Sequence, residues 1–256
     1  MLRPKKRLGQ HFLTDRNIAS RITGYIKAAD YQKLIEVGPG KGILTGFLLE
    51  RPEIEVFPVE IDHEIVEYLL TKWPILKGIM KEADFLSLDL LQEYGDKFGI
   101  IGNFPYNISS QIFFKVLECK DNCREVVCMI QKEVADRIIS PPGNKTYGIL
   151  SVLLQTWYKI DYLFTVNPGS FFPAPEVKSA VIRLVRNERK DLPVDQQFFN
   201  RFVKTAFNQR RKMLRNSIKS FFNSEIEDNM VLTKRPEQLS VDEFLELAVW
   251  VVKQNK

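Results

Sequence analysis

The sequence predicts an α/β protein with a doubly wound, mostly parallel sheet and a small all-α domain at its C-terminus. Between residues 33 and 131, short apolar runs alternate with stretches of helical periodicity. This alternation is typical of a parallel sheet in which a helix follows each strand and covers one face. After a charged segment that ends at Pro193, apolar residues recur at helical spacing instead. We therefore predict two domains, residues 1–187 and residues 188–256.

Four pairs of a strand and a helix make up the first part of the predicted sheet. In order they are LIEV with ILTGFLLE, EVFPVE with HEIVEYLL, FGIIGN with SSQIFFKVLE, and REVVCMIQ with KEVADRII. A helix-like run, YGILSVLLQTW, then precedes two strand-like runs, DYLFTV and SAVIRLV, which we expect to complete the sheet in antiparallel fashion. Ligands of open α/β sheets bind outside the carboxyl ends of the strands, so the loops that leave these strands are candidate sites.

The C-terminal domain is predicted from two helical patterns. Phe199, Phe202 and Val203 recur at the spacing of one helix face. Further along, Ser240 and Glu243 have the spacing of a capping box, directly ahead of the apolar run FLELAVWVV. We expect both segments to be amphipathic helices that pack against each other.

Length and composition exclude several classes of protein. The chain has 256 residues, of which 45% are hydrophobic, so it can form a folded core. Its cysteines at 119, 123 and 128 match neither a disulfide framework nor a zinc motif, and we expect reduced, buried thiols and no metal. No apolar run approaches the ~20 residues of a membrane span, and the start of the sequence lacks the apolar centre of a signal peptide. We therefore expect a cytoplasmic protein without a membrane partner, and we take it to be a monomer.

The basic residues are unevenly distributed, although the net charge is only +5. One cluster lies at Arg3 to Arg7, and a second lies between Arg183 and Lys219. A single basic cluster is as often a solvated face as a binding site. Two clusters in one chain favour a polyanionic partner such as nucleic acid. Within the second cluster we assign phosphate contacts to Arg210, Arg211, Lys212 and Arg215.

A glycine-rich turn follows the first predicted strand. Gly38, Gly40 and Gly42 come directly after LIEV and before a helix, where residues without side chains let the backbone turn sharply and approach a ligand. Such a turn alone is a weak signal, because many tight turns bind nothing. About 20 residues further on, Glu60 ends the second strand, where a carboxylate can accept hydrogen bonds from ribose hydroxyls. A surface glutamate is the alternative interpretation of Glu60.

The same turn narrows the choice of nucleotide cofactor. It lacks the later glycine of the usual dinucleotide motif. It also lacks the Walker lysine followed by Ser or Thr that is typical of an NTPase. S-adenosylmethionine is therefore the leading candidate. In that interpretation Asp84 ends the third strand and accepts a hydrogen bond from the cofactor's adenine amine, although an Asp at a strand end is often only a cap. Its position after Glu60 in chain order supports the binding role.

The segment NFPYN, residues 103–107, follows an apolar strand and contains the groups needed to methylate an adenine amine. That amine is a poor nucleophile because its lone pair is delocalised into the ring, and two hydrogen-bond acceptors help it to become pyramidal. The Asn103 side-chain oxygen and the Phe104 carbonyl can accept, while Pro105 fixes the loop. Tyr106 can stack on the base. No strong base is needed, since the alkylated ammonium readily loses its proton; Asn107 has no role that the sequence reveals.

A second segment that combines aromatic residues with prolines, FFPAP, lies at residues 171–175. An aromatic residue there can hold the other face of a base that has left its stack. Loop packing is the alternative interpretation. Two such segments in one chain favour a base clamp.

Seven segments with these motifs extend over nearly the whole chain. They are GQHFLTD at 9–15, EVGPGKGILT at 36–45, VEID at 59–62, ADFL at 83–86, NFPYNISS at 103–110, FFPAPEVKSAVIRL at 171–184 and FNQRRKMLRNS at 207–217. As an ordered set, they resemble the ribosomal RNA adenine dimethyltransferases of the KsgA type. The set is specific to that family, although the glycine turn alone is not.

The resemblance implies a Rossmann-like, S-adenosylmethionine-dependent methyltransferase domain at 1–187 and an RNA-contacting helical domain at 188–256. It also implies that Phe171 stacks on the target adenine opposite Tyr106. The implied reaction places two methyl groups on each of two adjacent adenosines near the 3′ end of 16S rRNA, in an assembling 30S particle. The implied cofactor site, under an N-terminal segment that closes over it, contains His11, Leu13, Gly38, Gly40, Glu60, Asp84 and Asn103.

Two other functions are compatible with the same scaffold. One is the related methyltransferase that modifies an adenine of large-subunit rRNA and confers antibiotic resistance. The other is a non-catalytic RNA-binding factor. A full C-terminal helical domain and the exact sequence NFPYN favour the small-subunit enzyme over the large-subunit enzyme. The intact NFPYN segment and glycine turn argue against a non-catalytic factor.

Overall fold

The computed structural model describes residues 4–5, 8–222 and 229–255, and the chain divides into two compact units. The first unit consists of the residues up to 135 together with 159–186, and it contains the sheet. The second consists of 136–158 together with the residues from 187 onward, and it is mainly helical. The segment 136–158, which the sequence places with the sheet, therefore groups with the helical unit. The domain boundary at 187/188 stays a prediction.

The part of the chain that the structure describes contains nine strands. They are β1 (Phe12–Leu13), β2 (Lys33–Val37), β3 (Glu55–Glu60), β4 (Lys81–Glu82), β5 (Phe98–Asn103), β6 (Cys123–Gln131), β7 (Tyr158–Val166), β8 (Phe171–Phe172) and β9 (Ser179–Arg186). The main sheet has the order β4-β3-β2-β5-β6-β9-β7, and β1 forms a separate antiparallel pair with β8. From β4 to β6 all neighbours are parallel, whereas β9 is antiparallel to β6. The predicted α/β fold with a mostly parallel sheet is confirmed.

The described residues form ten α-helices, and one follows each of β2, β3, β5 and β6, as the alternation predicts. They are α1 (Arg16–Gly24), α2 (Ile43–Leu48), α3 (His63–Lys72), α4 (Leu90–Tyr94), α5 (Ser109–Glu118), α6 (Lys132–Ile139), α7 (Ile149–Trp157), α8 (Gln196–Asn208), α9 (Leu214–Ser217) and α10 (Val241–Gln254). Covering helices explain why the central strands read as continuous apolar runs rather than alternating ones. Ile35 of β2 and both Ile100 and Ile101 of β5 are fully buried.

The core of the helical unit is built from aromatic side chains. Phe199 and Phe202 of α8 are fully buried, and Phe207 lies 5.8 Å from Phe244 of α10 between ring centroids. The predicted capping box starts α10: the Ser240 hydroxyl accepts from the Glu243 backbone N–H at 3.2 Å, and the Glu243 carboxylate accepts from the Ser240 N–H at 2.8 Å.

Two further expectations concern cysteines and membrane helices. Cys119, Cys123 and Cys128 are all buried and free of disulfides, as predicted. Among the described residues, none of the helices combines the length and the apolar character needed to cross a membrane.

Candidate active site

A cavity of about 200 Å³ opens at the carboxyl ends of β2, β3 and β5, within the sheet-containing unit. It is lined by residues from 8–13, 37–44, 59–65, 83–86 and 103–108. These ranges are far apart in the sequence, and the parallel sheet brings them to one edge. The predicted site residues on the cavity wall are His11, Leu13, Gly38, Gly40, Glu60, Asp84, Asn103, Phe104, Pro105 and Tyr106.

The glycine turn between β2 and α2 is strained for any residue with a side chain. Gly38, Gly40 and Gly42 have φ of +64°, +55° and +75°, in the left-handed region that glycine tolerates. A Cβ atom at Gly42 would lie 2.3 Å from the Trp73 ring and 2.7 Å from Leu69. Position 42 therefore cannot carry a side chain without a shift of its neighbours. At Gly38 and Gly40 the main chain itself lines the cavity.

Glu60 lies at the end of β3 with its carboxylate held by the backbone. It is only 6% exposed, and its Oε1 accepts from the N–H groups of Ile61 and Asp62 at 2.9 and 3.0 Å. Burial raises the pKa of Glu60, and these backbone hydrogen bonds act against that rise. The carboxylate thus has a fixed position beside the glycine turn, and it is not the surface glutamate of the alternative interpretation.

Asp84 follows β4 and is exposed at the cavity rim. Its Oδ1 accepts from the Leu86 N–H at 3.0 Å, so it caps the short 3₁₀ turn at Phe85–Ser87. The capping role that the sequence offered as an alternative is therefore present in the structure. It is compatible with a second role at the cavity, which stays a prediction.

Asn103 is the last residue of β5, and only one end of its side-chain amide is hydrogen-bonded among the described residues. Its amide nitrogen donates to the backbone carbonyl of His11 at 2.8 Å. Its Oδ1 is buried and has no hydrogen-bond partner among the described residues. Because a carbonyl can only accept, the NH₂ end of the amide must face His11, which leaves Oδ1 as an unused acceptor. Buried acceptors of this kind are rare in folded proteins and call for an explanation.

The rest of NFPYN forms the turn into α5. The Phe104 N–H donates to the Met129 carbonyl of β6 at 3.0 Å, and the Phe104 ring is buried 5.9 Å from Phe113 between centroids. The Pro105 carbonyl accepts from the Ile108 N–H at 3.2 Å. These contacts hold the loop next to Asn103 independently of any ligand.

Tyr106 contacts His11 through its ring face and Ser179 through its hydroxyl. The His11 imidazole is stacked on the ring, with centroids 5.4 Å apart and planes 26° from parallel. The Tyr106 hydroxyl lies 2.5 Å from the hydroxyl of Ser179. His11 is itself held by its Nδ1, which lies 2.8 Å from the Pro173 carbonyl and must carry a proton to donate there. One face of the predicted base platform is therefore covered by His11.

Residues 8–13 form the N-terminal segment of the cavity wall, and contacts that the sequence did not reveal hold this segment in place. Lys5 Nζ lies 2.6 Å from Asp62 and the Gln10 amide donates to the same carboxylate at 3.1 Å. Burial would raise the pKa of Asp62, but the hydrogen bonds from Lys5 and Gln10 bring it below its ordinary value. Asn107 packs against this segment, since a Cβ atom at Gly9 would lie 2.6 Å from its side-chain oxygen. Asn107 thus has a packing role.

Phe171, which the resemblance implies as the second stacking residue, lies in the hydrophobic core. It is 5% exposed and packs in the hydrophobic core with Leu13 and Val166, and it is not part of the cavity wall. The next residue, Phe172, is 58% exposed instead. Adjacent residues of a strand point to opposite faces, and the pairing of Leu13 with Phe171 turns Phe171 inward. This placement does not support a stacking role for Phe171, which stays an untested prediction.

The predicted RNA-contacting residues lie in the helical unit, between α8 and the end of α9. Arg211, Lys212 and Arg215 are exposed. Arg210 is half-buried; its guanidinium donates to the Lys145 carbonyl and lies 3.9 Å from Glu237. Arg210 therefore has a structural role within the helical unit. Of the N-terminal basic cluster, Arg3, Lys6 and Arg7 lie outside the described residues.

Comparison with known families agrees with this site. The model of the family described as ribosomal RNA adenine dimethylase matches residues 1–252. This chain belongs to the ribosomal RNA adenine dimethylase family. The resemblance seen in the sequence is thereby confirmed, as are the predicted enzyme class, an rRNA adenine dimethyltransferase, and its cofactor, S-adenosylmethionine.

Relatives in the family are similar over their full length. Ribosomal RNA small subunit methyltransferase A of Parabacteroides distasonis is 51% identical over 251 residues, which are 97% of this chain and 94% of that protein. The protein of the same name from Porphyromonas gingivalis is 48% identical over 252 residues, 97% of each chain.

Two solved structures share the fold of the dimethylase family. A dimethyladenosine transferase from Plasmodium falciparum superposes with a TM-score of 0.78 at 22% identity, covering 95% of this chain and 98% of that one. The 23S rRNA methyltransferase ErmE superposes with a TM-score of 0.68 at 23% identity, covering 92% and 98%. At such identities the likeness establishes the fold and does not distinguish between the two rRNA substrates.

Proposed function

We propose that this protein transfers methyl groups from S-adenosylmethionine to the exocyclic amines of two adjacent adenosines near the 3′ end of 16S rRNA, dimethylating each. The observation that carries the proposal is the buried, unpartnered Oδ1 of Asn103 on the cavity wall. An acceptor that is already desolvated and fixed in orientation is suited to an N–H donor supplied by a ligand. An adenine amine has two such N–H groups.

The residues of the cavity fit the cofactor. The bare backbone at Gly38 and Gly40 admits the methionine part closely, and the buried Glu60 carboxylate is placed to accept from ribose hydroxyls. Asp84 at the rim is assigned to the adenine ring, and His11 and Leu13 to the covering segment. When bound, the cofactor supplies an electrophilic sulfonium methyl group.

The protein's own part in the reaction is to orient the target amine. Asn103 Oδ1 accepts one amine hydrogen and the Phe104 carbonyl accepts the other, which concentrates the lone pair on nitrogen and aims it at the methyl group. Held in this way, the nitrogen would take up the methyl group that the cofactor supplies, with the new N–C bond replacing the S–C bond. The resulting ammonium then loses a proton to water, so no residue has to act as a strong base. Tyr106 supports the base during transfer. A second transfer gives the dimethylated amine; in it the monomethylated amine has one N–H left, which donates to one of the two acceptors.

Substrate and setting follow from the named relatives and the basic surface. Relatives about half identical to this chain are named for the small ribosomal subunit, which supports 16S rRNA over large-subunit rRNA. Single-stranded or loop adenines suit this site, because A-form duplex bases are hard to reach. We further propose that the enzyme acts as a cytoplasmic monomer on an assembling 30S particle, with a role in subunit assembly. Residues 188–256 form its RNA-contacting domain, through Arg211, Lys212 and Arg215.

Parallel labelling of the two subunits tests this assignment. The protein is incubated with radiolabelled S-adenosylmethionine and with small or large subunits isolated from cells that lack such methylation. We expect label in the small subunit, approaching four methyl groups per particle, since each of two adenosines takes two. Label confined to the large subunit would contradict the proposed substrate, and the absence of label from both would contradict the catalytic role.

A further inference from the structure

The segment FFPAPEVKSAVIRL, residues 171–184, contacts NFPYN through a residue to which the sequence assigns no role. Ser179 is the first residue of β9 and is fully buried, and its hydroxyl lies 2.5 Å from the Tyr106 hydroxyl. Tyr106 is on the loop between β5 and α5, whereas Ser179 is 73 residues further along the chain. The hydrogen bond therefore ties a loop residue of the cavity to the central sheet.

Ser179 is a rigid anchor. Its backbone is paired with Gln131 in the ladder between β6 and β9. One residue earlier, the Lys178 carbonyl accepts from the Lys132 N–H at 2.9 Å, which extends the ladder beyond the strand. Sites carried by strands are held more accurately than sites carried by loops.

The hydrogen bond fixes where the far end of the Tyr106 ring lies. The hydroxyl is the part of the side chain furthest from the backbone, so a swing of the ring about the first side-chain torsion would break the hydrogen bond. Rotation about the second torsion leaves the hydroxyl oxygen on its axis, and the plane of the ring is restrained instead by the His11 imidazole stacked on one face. Burial raises the pKa of Tyr106 above its ordinary value, and the hydrogen bond with Ser179 offsets only part of this rise. The phenol therefore stays protonated near neutral pH.

We propose that Ser179 is a positioning residue, which holds the far end of the Tyr106 ring in place so that an adenine stacked on the ring presents its amine to Asn103. This inference rests on the proposed function, because it concerns the same adenine. It also gives the FFPAPEVKS segment a role in the reaction that does not require Phe171. A ring that swings about its first side-chain torsion would move the amine out of reach of the acceptors, and displacements of about 1 Å can cost about 100-fold in rate.

A double-mutant cycle tests the positioning role. Ser179→Ala, Tyr106→Phe and the double variant are compared with the wild type for kcat and KM on unmethylated small subunits, and for the Kd of S-adenosylmethionine by calorimetry. Tyr106→Phe keeps the ring and leaves β9 unchanged, so this variant tests the hydrogen bond even if Ser179→Ala folds poorly. We expect each single variant to lower kcat by between about 10- and 100-fold, with cofactor affinity within about twofold. The double variant should be no slower than the worse single variant, because both remove the same hydrogen bond.

Ser151→Ala is the matched control. Ser151 is also fully buried and donates a 2.5 Å hydrogen bond, to the Arg137 carbonyl, but it belongs to the helical unit and does not line the cavity. It should lower thermal stability and leave kcat within twofold. An active wild type with an undiminished Ser179→Ala variant, or losses in kcat that multiply in the double variant, would overturn the positioning role alone. A wild type that labels no adenine would overturn the proposed function instead.

Discussion

The side-chain nitrogen of Asn103 donates to the backbone carbonyl of His11 at 2.8 Å, and this contact decides which way the amide faces. It leaves Asn103 Oδ1 buried without a partner among the described residues, on the wall of the cavity. One hydrogen bond therefore both fastens the N-terminal segment and prepares the acceptor for the target amine. The position of His11 and the orientation of the Asn103 amide therefore depend on the same contact.

Replacing Asn103 should separate catalysis from binding. Asn103→Ala removes the acceptor, and Asn103→Asp removes the donor to His11 while placing a carboxylate against its carbonyl. We expect both to lower kcat by about 100-fold or more, and to weaken cofactor binding by a smaller factor. Single-turnover methylation and calorimetry with S-adenosylmethionine measure the two effects.

The control for this prediction is Asn122→Ala. Asn122 also donates from its side chain to a backbone carbonyl, that of Asp96, at 2.8 Å, but it lies at the amino end of β6. Its loss should leave kcat within twofold. An Asn103→Ala variant as active as Asn122→Ala would contradict the acceptor role.

Much of this site was predictable because its residues follow strands directly. A parallel sheet brings the carboxyl ends of its strands to one edge, so Gly38, Glu60 and Asn103 could be placed together from local patterns alone. The chemistry of NFPYN could be argued for the same reason. Strand periodicity and chain order are properties that a sequence displays locally.

The contacts that the sequence did not reveal depend on pairing between distant segments. Ser179 reaches Tyr106 across 73 residues, and Lys5 reaches Asp62 across 57. The choice of Phe172 rather than Phe171 as the exposed ring depends on the register of β8 with β1. Strands of two residues carry no alternation from which a register could be read.

Gly42→Ala should destabilise the protein much more than Gly78→Ala. Both glycines have positive φ, of +75° and +89°, so both substitutions strain the backbone by about 1–2 kcal/mol. At Gly42 the new methyl group would also collide with Trp73 and Leu69, which adds about 1–3 kcal/mol, whereas no described atom lies within 4 Å of a Cβ at Gly78. Urea denaturation measures the two decreases in free energy of unfolding. Equal decreases would mean that the turn can move to accept a side chain.

Stability should depend on pH through Glu36. This residue of β2 is fully buried, and burial raises its pKa from an ordinary value of 4.5 to about 7, although the Thr45 hydroxyl donates to it at 2.7 Å. The folded state therefore holds a proton that the unfolded chain has already released between pH 4.5 and 7. Because the folded state binds more protons in that window, the stability that Glu36 contributes is present below pH 4.5 and is lost as the pH rises through about 7.

The variant Glu36→Gln tests this linkage, since glutamine keeps an acceptor for Thr45 and does not titrate. Relative to the wild type, we expect it to gain about 3 kcal/mol in free energy of unfolding between pH 4.5 and pH 8. Urea denaturation of both proteins at a series of pH values gives the difference. Curves that stay parallel would show that Glu36 does not titrate in this range.

Neutralising Arg211, Lys212 and Arg215 should weaken RNA binding and flatten its salt dependence. All three are exposed in the helical unit, and removing one phosphate contact should reduce the slope of log K against log salt by roughly 0.7–0.9. The triple glutamine variant is compared with the wild type in RNA-binding assays between low and moderate salt. Its affinity for S-adenosylmethionine should be unchanged.

A charge-matched control removes three exposed lysines of the sheet-containing unit. Replacing Lys27, Lys77 and Lys159 with glutamine lowers the net charge by the same amount. A salt slope that changes equally in both triple variants would show that only overall charge matters. Arg210 is left intact in this test because of its interactions with Lys145 and Glu237.

Mapping the modified bases tests the proposed activity most directly. The protein is incubated with labelled S-adenosylmethionine and unmethylated small subunits, and the 16S rRNA is then digested and analysed by mass spectrometry. We predict dimethylation of the exocyclic amines of two adjacent adenosines near the 3′ end, and its loss in Asn103→Ala. Label on a ribose, on another base or on a single isolated adenosine would contradict the proposed activity.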